Sequence, residues 1–254
     1  MKTIYLFDVD GTLTPAKSKI DNHFSETFSE WQRGKTVYIV SGGSFPRIVD
    51  QLGRSLVDSI NGVFSCMGNA FYKKIENSDG YSSWALKYKN RFTIAKPRLF
   101  FSELERCVMN SEYHTKVGRH YEERTGMVNF SVVGLDATPE QRREYETYDK
   151  QHNEREQIVK KLSSKYFKLD FVIGGAVSID IFNKGNDKAQ VIERYFKDKL
   201  ESHRIVFVGD RIQYPGNDYS LAETLRRHPN GEAVEVECWQ DTAALLKTDL
   251  FASG

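Results

Sequence analysis

Three short apolar runs along the chain each end directly before polar or glycine residues. They are residues 4–7 (IYLF), 37–40 (VYIV) and 205–208 (IVFV). Continuous apolarity of this kind is typical of strands that are covered on both faces, as in a parallel sheet. We therefore predict three buried strands, and we expect the residues that follow them to lie at one edge of a sheet.

Helical spacing of apolar residues follows the first two runs. Positions 20, 24, 28 and 31 are apolar before a stop at Gly34, and Ser44 with Pro46 predicts the start of a second helix. Strand and helix thus alternate, which predicts an α/β protein with a doubly wound parallel sheet. In such sheets ligands gather at the carboxyl ends of the strands, where Asp8, Ser41 and Asp210 would lie.

The pattern changes beyond about residue 80. Residues 127–133 and 176–182 alternate between apolar and polar side chains, which predicts an antiparallel sheet with one covered face. Thr138 and Gln141 match a capping box, and the charged segment that follows, up to about Tyr166, predicts a solvated helix. We predict a catalytic core of residues 1–79 and 187–254, and an inserted α+β cap domain of residues 80–186, with hinges near residues 79–80 and 184–185.

Composition narrows the possible partners and compartments. The chain has 36 basic and 35 acidic residues among 254, so we expect neither nucleic acid nor a membrane as partner. Its three cysteines lie far apart without CxxC spacing, which argues against a disulfide framework or a zinc site. No apolar run approaches the roughly 20 residues of a membrane helix, and the N-terminus lacks a signal-peptide pattern. We expect a soluble, cytoplasmic protein.

Two aspartates, Asp8 and Asp10, follow the first apolar run in the stretch IYLFDVDGTLTPAK. Gly11 permits a sharp turn there, so both carboxylates can face one site. One carboxylate can attack a phosphoryl group and form an aspartyl-phosphate, while the other moves the proton of the leaving or attacking oxygen. The alternative interpretation is that the strand simply ends in a polar loop without a catalytic role.

Three further segments carry groups that phosphoryl transfer needs. Ser41 and the backbone of Gly42 and Gly43 can donate hydrogen bonds to a phosphate, although such a segment is also a common turn. Lys188 opens a predicted helix, where a lysine opposes the helix dipole, unless it is simply a surface lysine. Asp210 and Asp218 can supply oxygen ligands to Mg²⁺ together with Asp8 and Asp10. Alternatively, Asp218 lies in the first turn of a helix capped by Asn217.

The order of these motifs resembles the haloacid dehalogenase superfamily of phosphoryl-transfer enzymes. The resemblance implies a Rossmann-like core in which Asp8 is the nucleophile and Asp10 the general acid/base. It further implies that Ser41 and the catalytic Lys188 bind the phosphate, and that Mg²⁺ lies among Asp8, Asp10 and Asp210. An aspartate at position 10 is similar to the phosphatase and mutase members of that superfamily.

The stretches ERTGMVNFSVVG, GGAVSIDIFNKGNDK and GDRIQYPGND resemble the eukaryotic-type phosphomannomutases along nearly the whole chain. That resemblance implies Mg²⁺-dependent interconversion of mannose 6-phosphate and mannose 1-phosphate, a place in mannose metabolism and GDP-mannose biosynthesis, and a homodimer formed through the cap. It implies that Arg124 and Arg142 bind the distal phosphate and that Ser178 and Asp180 contact the sugar. A solvated sheet face is the alternative for the last pair.

Two positions depart from the family pattern. Leu135 stands where the family has a phosphate-binding arginine, and Lys17 replaces another arginine, which loses the planar two-pronged contact with phosphate. Arg119 or Arg143 can compensate, unless each is simply a surface residue. A sugar-phosphate phosphatase on the same scaffold therefore stays open as an alternative to the mutase, and a non-catalytic sugar-phosphate sensor is a third hypothesis. Mannose or glucose preference stays open as well.

Overall fold

The computed structural model describes residues 1–76, 82–248 and 251, which form two compact units. The first unit comprises Met1–Lys89 with Asn186–Gly254, and the second comprises Asn90–Gly185. The first boundary lies at Asn90 rather than at residue 80, because the strand before it pairs with the sheet of the first unit. One predicted hinge, at residues 79–80, lies outside the described residues.

The elements are numbered in chain order. The strands are β1 (Lys2–Phe7), β2 (Thr36–Val40), β3 (Gly62–Ser65), β4 (Ala70–Glu76), β5 (Ser82–Lys89), β6 (Tyr121–Arg124), β7 (Met127–Phe130), β8 (Leu169–Gly174), β9 (Ser178–Asn183), β10 (His203–Gly209) and β11 (Gly231–Glu235). The α-helices are α1 (Asn22–Trp31), α2 (Phe45–Leu52), α3 (Arg54–Val57), α4 (Pro97–Asn110), α5 (Pro139–His152), α6 (Glu154–Lys165), α7 (Tyr219–Arg226) and α8 (Trp239–Leu245). A π-helical segment, Ile192–Phe196, and a 3₁₀ turn, Lys197–Lys199, precede β10.

A sheet in the order β11-β10-β1-β2-β3-β4-β5 is the centre of the first unit. The strands from β11 to β3 are parallel, and β4 and β5 continue the sheet antiparallel. Tyr5 and Phe7 of β1 enter one apolar cluster, while Ile4 and Leu6 enter another. Both faces of this strand are therefore covered, which is why its sequence is continuously apolar. The predicted α/β class with a parallel sheet is confirmed.

The second unit is an antiparallel sheet in the order β6-β7-β9-β8 with α4, α5 and α6. Apolar side chains of β7 and β9 form its core with residues of the three helices. The predicted capping box of Thr138 and Gln141 begins α5. The charged segment is two helices rather than one, because Asn153 adopts a left-handed conformation with φ of 51° between them.

Across the described residues, every helix is too short or too polar to span a lipid bilayer.

Candidate active site

Three carboxylates meet at the carboxyl edge of the parallel sheet. Asp8 follows β1, Asp210 follows β10, and Asp218 precedes α7. Their nearest oxygen atoms all lie within 4.8 Å of one another. Asp8 and Asp218 are buried, whereas Asp210 is half-buried. The predicted gathering of acidic residues at this edge is therefore present in the structure.

Two glycines allow the carboxylates to approach the backbone so closely. Gly11 adopts φ of +86°, and a Cβ atom added there would lie 2.3 Å from Oδ2 of Asp210. A Cβ added at Gly209 would lie 2.7 Å from Oδ2 of Asp218. Any larger residue at either position would displace a carboxylate of the cluster.

Lys188 joins two of the three carboxylates. Its ammonium Nζ lies 2.6 Å from Oδ1 of Asp8 and 2.5 Å from Oδ1 of Asp218, and the side chain is fully buried. The residue lies in a turn before the π-helical segment rather than inside a helix. The alternative interpretation of Lys188 as a surface lysine is therefore wrong.

Asp218 is itself the N-cap residue of α7, so the alternative interpretation, in which Asn217 caps that helix, is wrong. Its side chain makes no capping hydrogen bond, because it accepts from Lys188 and from the backbone N–H of Arg211 instead. The buried carboxylate thus serves the cluster and not the helix.

Burial sets the electrostatics of the cluster. It raises the pKa of Asp8 well above the ordinary value; Lys188 opposes this rise, and Asp218 and Asp210 reinforce it. Burial and the negative charge of Asp218 raise the pKa of Asp210 to about 7. Burial alone would lower the pKa of Lys188, but Asp218 and Asp8 outweigh it and leave that pKa raised. Three carboxylates around one ammonium leave excess negative charge, which a hard divalent cation such as Mg²⁺ fits.

Asp10 lies outside this group of three carboxylates, in contrast to the predicted set of four metal-binding side chains. Its Oδ1 atom accepts the backbone N–H of Lys17 at 2.5 Å and the side-chain amide of Gln51 at 2.9 Å. Lys17 adopts φ of 58°, and its side chain is exposed. The backbone N–H of Lys17 therefore contacts a predicted catalytic group.

Ser41 follows β2, which pairs with β1, so it lies at the strand end beside the one that Asp8 follows. Ser41 is buried, and its Oγ accepts the backbone N–H of Gly43 at 3.0 Å. Gly42 lies between these two residues. The segment forms the turn before α2, whose N-cap is Ser44 as predicted.

A second turn, Cys66–Asn69, is hydrogen-bonded to the Ser41–Gly43 turn. The backbone N–H groups of Cys66 and Met67 donate to the carbonyl oxygens of Gly43 and Ser41, both at 2.9 Å. Cys66 and Met67 have φ of 52° and 61°, in the left-handed region where non-glycine residues are uncommon. The tertiary contacts of this turn thus hold it in a costly conformation.

Asn69 and Gln190 connect that second turn to the segment that carries Lys188. Asn69 Nδ2 donates to the carbonyls of Cys66 and Asn186, and Gln190 Nε2 donates to those of Met67 and Asn186. Both side chains are fully buried. Neither residue could be predicted from the sequence, because amide residues in a turn or helix carry no pattern that distinguishes buried from solvated positions.

The second unit carries the predicted sugar-contacting residues. Asp180 on β9 is 3% exposed, and its Oδ1 accepts the amide of Asn129 on β7 at 2.7 Å. Ser178 is buried, and its Oγ donates to the Gly174 carbonyl. These residues are not on the solvated sheet face that was the alternative interpretation. Arg155, paired with Asp149, donates to the Ser178 carbonyl and so connects that strand to α6.

The predicted distal-phosphate arginines are both engaged within the second unit. Arg124 donates to Glu122 at 2.6 Å and to Oδ1 of Asn129 at 3.3 Å. Arg142 donates to the carbonyls of Ala137 and Leu135, at 3.0 and 2.6 Å. Arg142 therefore fixes the backbone around Leu135, the position that lacks the arginine of the family pattern.

Arg119 and Arg143 are the two arginines predicted to compensate for Leu135. Arg119 donates two hydrogen bonds to Asp136, and Arg143 donates to Glu140. Both arginine side chains are 67% exposed. Each is therefore paired with an acidic neighbour near the surface.

Comparisons with known proteins give one family description for most of the chain. A family model described as eukaryotic phosphomannomutase matches residues 24–252. A phosphomannomutase of Dendrobium officinale is 34% identical over 227 residues, which cover 88% of this chain and 86% of that protein. The phosphomannomutase of Saccharomyces cerevisiae is 32% identical over 255 residues, which cover 98% and 94%.

Solved structures of lower identity share the fold. The C-terminal domain of a C. albicans trehalose-6-phosphate phosphatase has a TM-score of 0.66 at 15% identity, with 99% of this chain and 92% of that chain covered. A Plasmodium falciparum IMP-nucleotidase has a TM-score of 0.62 at 13% identity, with 99% and 67% covered. At these identities the likeness concerns the fold alone.

Proposed function

The chain belongs to the eukaryotic phosphomannomutase family, and we propose that it interconverts mannose 6-phosphate and mannose 1-phosphate through a phosphorylated Asp8. The observation that carries this proposal is the buried contact of Lys188 with Asp8 and Asp218, beside Asp210. A carboxylate beside a fixed ammonium at the end of a buried strand has the surroundings that a phosphoryl acceptor needs.

The residues of the first unit divide the chemistry between them. The phosphoryl group on Asp8 passes to the free hydroxyl of the hexose monophosphate, and Asp10 takes the proton of that hydroxyl. The bisphosphorylated sugar then presents its other phosphoryl group to Asp8, and Asp10 returns the proton to the departing oxygen. Lys188 and the Ser41–Gly43 turn bind the transferring phosphoryl oxygens, whose charge they stabilise by preorganised hydrogen bonds.

We propose Mg²⁺ as the cofactor, held by Asp8, Asp210 and Asp218. Their excess negative charge, and oxygen as the donor atom, suit that ion. When bound, it would neutralise charge on the phosphoryl oxygens. The Asp10 carboxylate is engaged with Lys17 and Gln51, so we assign it to proton transfer and not to the metal.

The second unit is proposed to bind the rest of the substrate. Arg124 and Arg142 would contact the distal phosphate, with Ser178 and Asp180 at the sugar.

A homodimer through this unit is proposed as well, supported by exposed Leu99, Met109 and Phe167. The cytoplasm and GDP-mannose biosynthesis are the proposed setting, and three free cysteines are consistent with a reducing compartment.

The phosphatase alternative rested on Leu135 and Lys17. Membership of the phosphomannomutase family, with relatives of that name along nearly the whole chain, favours the mutase. The sensor hypothesis has no such support, and a protein without phosphoryl transfer would not need the buried contact of Lys188 with Asp8 beside Asp210 and Asp218.

An assay that follows two products tests the proposal. The enzyme is incubated with mannose 1-phosphate, Mg²⁺ and a hexose bisphosphate primer, and mannose 6-phosphate and free phosphate are quantified together. We expect isomer in large excess over phosphate, and no turnover by a folded Asp8→Asn variant. Stoichiometric release of phosphate without isomer would contradict the mutase, and wild-type rates in the variant would refute the nucleophile.

A further inference from the structure

One face of the sheet in the second unit carries a row of polar side chains across three strands. Glu122 of β6 lies opposite Asn129 of β7, and Asn129 lies opposite Asp180 of β9. Directly opposite residues share a face, and Arg124, two positions after Glu122, shares it too. Asn129 is thus the middle member of a row that also contains two proposed substrate-binding residues.

The amide of Asn129 contacts both of these residues. Its Nδ2 donates to Oδ1 of Asp180 at 2.7 Å, and its Oδ1 accepts from Nη2 of Arg124 at 3.3 Å. This orientation is the favourable one, because an amide N–H suits a carboxylate and an amide oxygen suits a guanidinium. Asn129 is 3% exposed, so the loss of either partner would leave a buried polar group unsatisfied.

The Asp180 carboxylate is also confined on its other side. A Cβ atom added at Gly174 of β8 would lie 2.5 Å from Oδ2 of Asp180. The carboxylate therefore occupies the space that the absent side chain of Gly174 leaves, while Asn129 holds its other oxygen. These two neighbours limit the rotation of the Asp180 side chain.

We propose that Asn129 is a positioning residue for sugar-phosphate recognition, which orients the Asp180 carboxylate toward the sugar and the Arg124 guanidinium toward the distal phosphate. The inference rests on the proposed function of those two residues. A purely structural asparagine would affect folding alone, whereas a positioning residue affects the binding of a sugar phosphate more than the chemistry at Asp8.

Two substitutions separate the contacts of Asn129. Asn129→Asp keeps an oxygen for Arg124 but removes the donor to Asp180 and places a second carboxylate beside it. Asn129→Ser removes the amide without adding charge. If Asn129→Asp does not fold, the inference is tested with Asn129→Ser instead. Glu103→Gln is the matched control, since Glu103 is a buried polar residue of the same unit that bonds to Lys165 on α6.

Each variant is assayed with two substrates, one with a sugar and one without. The KM for mannose 6-phosphate reports on sugar-phosphate recognition, and hydrolysis of acetyl phosphate reports on Asp8 without a sugar. We expect Asn129→Asp to raise the KM about tenfold or more, in line with the loss of a buried hydrogen bond to a charged group. Acetyl phosphate hydrolysis should stay within about twofold, and the Glu103→Gln control should change neither quantity by more than that.

Equilibrium binding of mannose 6-phosphate to each protein distinguishes this inference from the proposed function. If the wild type binds the sugar phosphate but does not isomerise it, the mutase proposal fails. The Asn129 inference is then still tested by comparing the dissociation constants of mannose 6-phosphate for the wild type and the Asn129 variants. Unchanged affinity in both folded Asn129 variants would overturn the inference even if the wild type is a mutase. An equal loss of sugar and acetyl phosphate turnover would overturn it as well.

Discussion

Gln51 of α2 donates a hydrogen bond from Nε2 to Oδ1 of Asp10, over 2.9 Å. The same amide contacts the carbonyl of Ser18 and the hydroxyl of Thr14, and Gln51 is 3% exposed. A helix that begins at the proposed phosphate-binding turn thus also holds the proposed acid/base. The loop after β1 and helix α2 are coupled through one amide.

Replacing that donor with an acceptor should impair turnover. Gln51→Glu places a second carboxylate beside Asp10, so we expect Asp10 to leave its position and kcat for isomerisation to fall about tenfold or more. Mg²⁺-dependent binding of beryllium fluoride at Asp8 should persist. Gln32→Glu is the control, because Gln32 is a buried glutamine whose Nε2 donates to the Ser29 carbonyl. Wild-type kcat in Gln51→Glu would contradict this role.

Removing Lys188 should destabilise the first unit. Its ammonium lies between Asp8 and Asp218, so Lys188→Met leaves two buried carboxylates without the positive charge that compensates them. We expect a loss of about 3–5 kcal/mol in the free energy of unfolding, measured with urea and without divalent cations. Adding Asp8→Asn to this variant should recover part of the loss.

Lys19→Met provides the matched control for Lys188. The ion pair of Lys19 with Asp50 spans 3.9 Å, with both side chains more than 70% exposed. A pair of that kind contributes about 0–1 kcal/mol, so stability should change little. Equal effects of the two lysine substitutions would show that Lys188 does not compensate buried charge.

Many parts of the core and the site could be predicted from the sequence, for a physical reason. A strand covered on both faces must be apolar throughout, so β1, β2 and β10 are recognisable, and the residues that follow them share one sheet edge. Asp8 and Asp210 were found in this way. Buried amides such as Gln51 and Asn129 were not, because nothing local distinguishes them from solvated side chains.

The sequence-based predictions that were wrong or incomplete also have local physical causes. The cap boundary was placed too early because β5, with two lysines and two serines, lacks the apolar run of a buried strand although it pairs with β4. The break between α5 and α6 was missed because a left-handed Asn153 leaves the charged pattern uninterrupted. The contact of the Lys17 backbone with the Asp10 carboxylate could not be predicted either, because sequence spacing does not reveal it.

Metal dependence should follow the cluster of three carboxylates. Chelation with EDTA should abolish isomerisation, and Asp210→Asn should raise the Mg²⁺ concentration at half-maximal activity about tenfold or more, since one charged ligand is lost. Asp50→Asn removes an exposed carboxylate and should leave the Mg²⁺ activation curve unchanged. Activity that survives EDTA treatment and dialysis would contradict a metal at this site.

Stability of the second unit should depend on pH through Glu103 of α4. Lys165 donates to its carboxylate at 2.5 Å, and this bond lowers the pKa of Glu103 below its ordinary value, with Lys161 and Arg106 adding to the effect. A carboxyl whose pKa is lower in the folded state stabilises the fold fully above its unfolded pKa of about 4.3. That contribution is lost as the pH falls through the lower, folded value.

We therefore expect wild type and Glu103→Gln to differ by about 1 kcal/mol in the free energy of unfolding at pH 7, since the bond involves two charged groups but Lys165 is partly solvated. The difference should persist down to about pH 5 and shrink below about pH 4. Urea unfolding of both proteins from pH 7 to pH 3.5 measures it. A difference that stays constant over this range would show that Glu103 acts through packing and not through its charge.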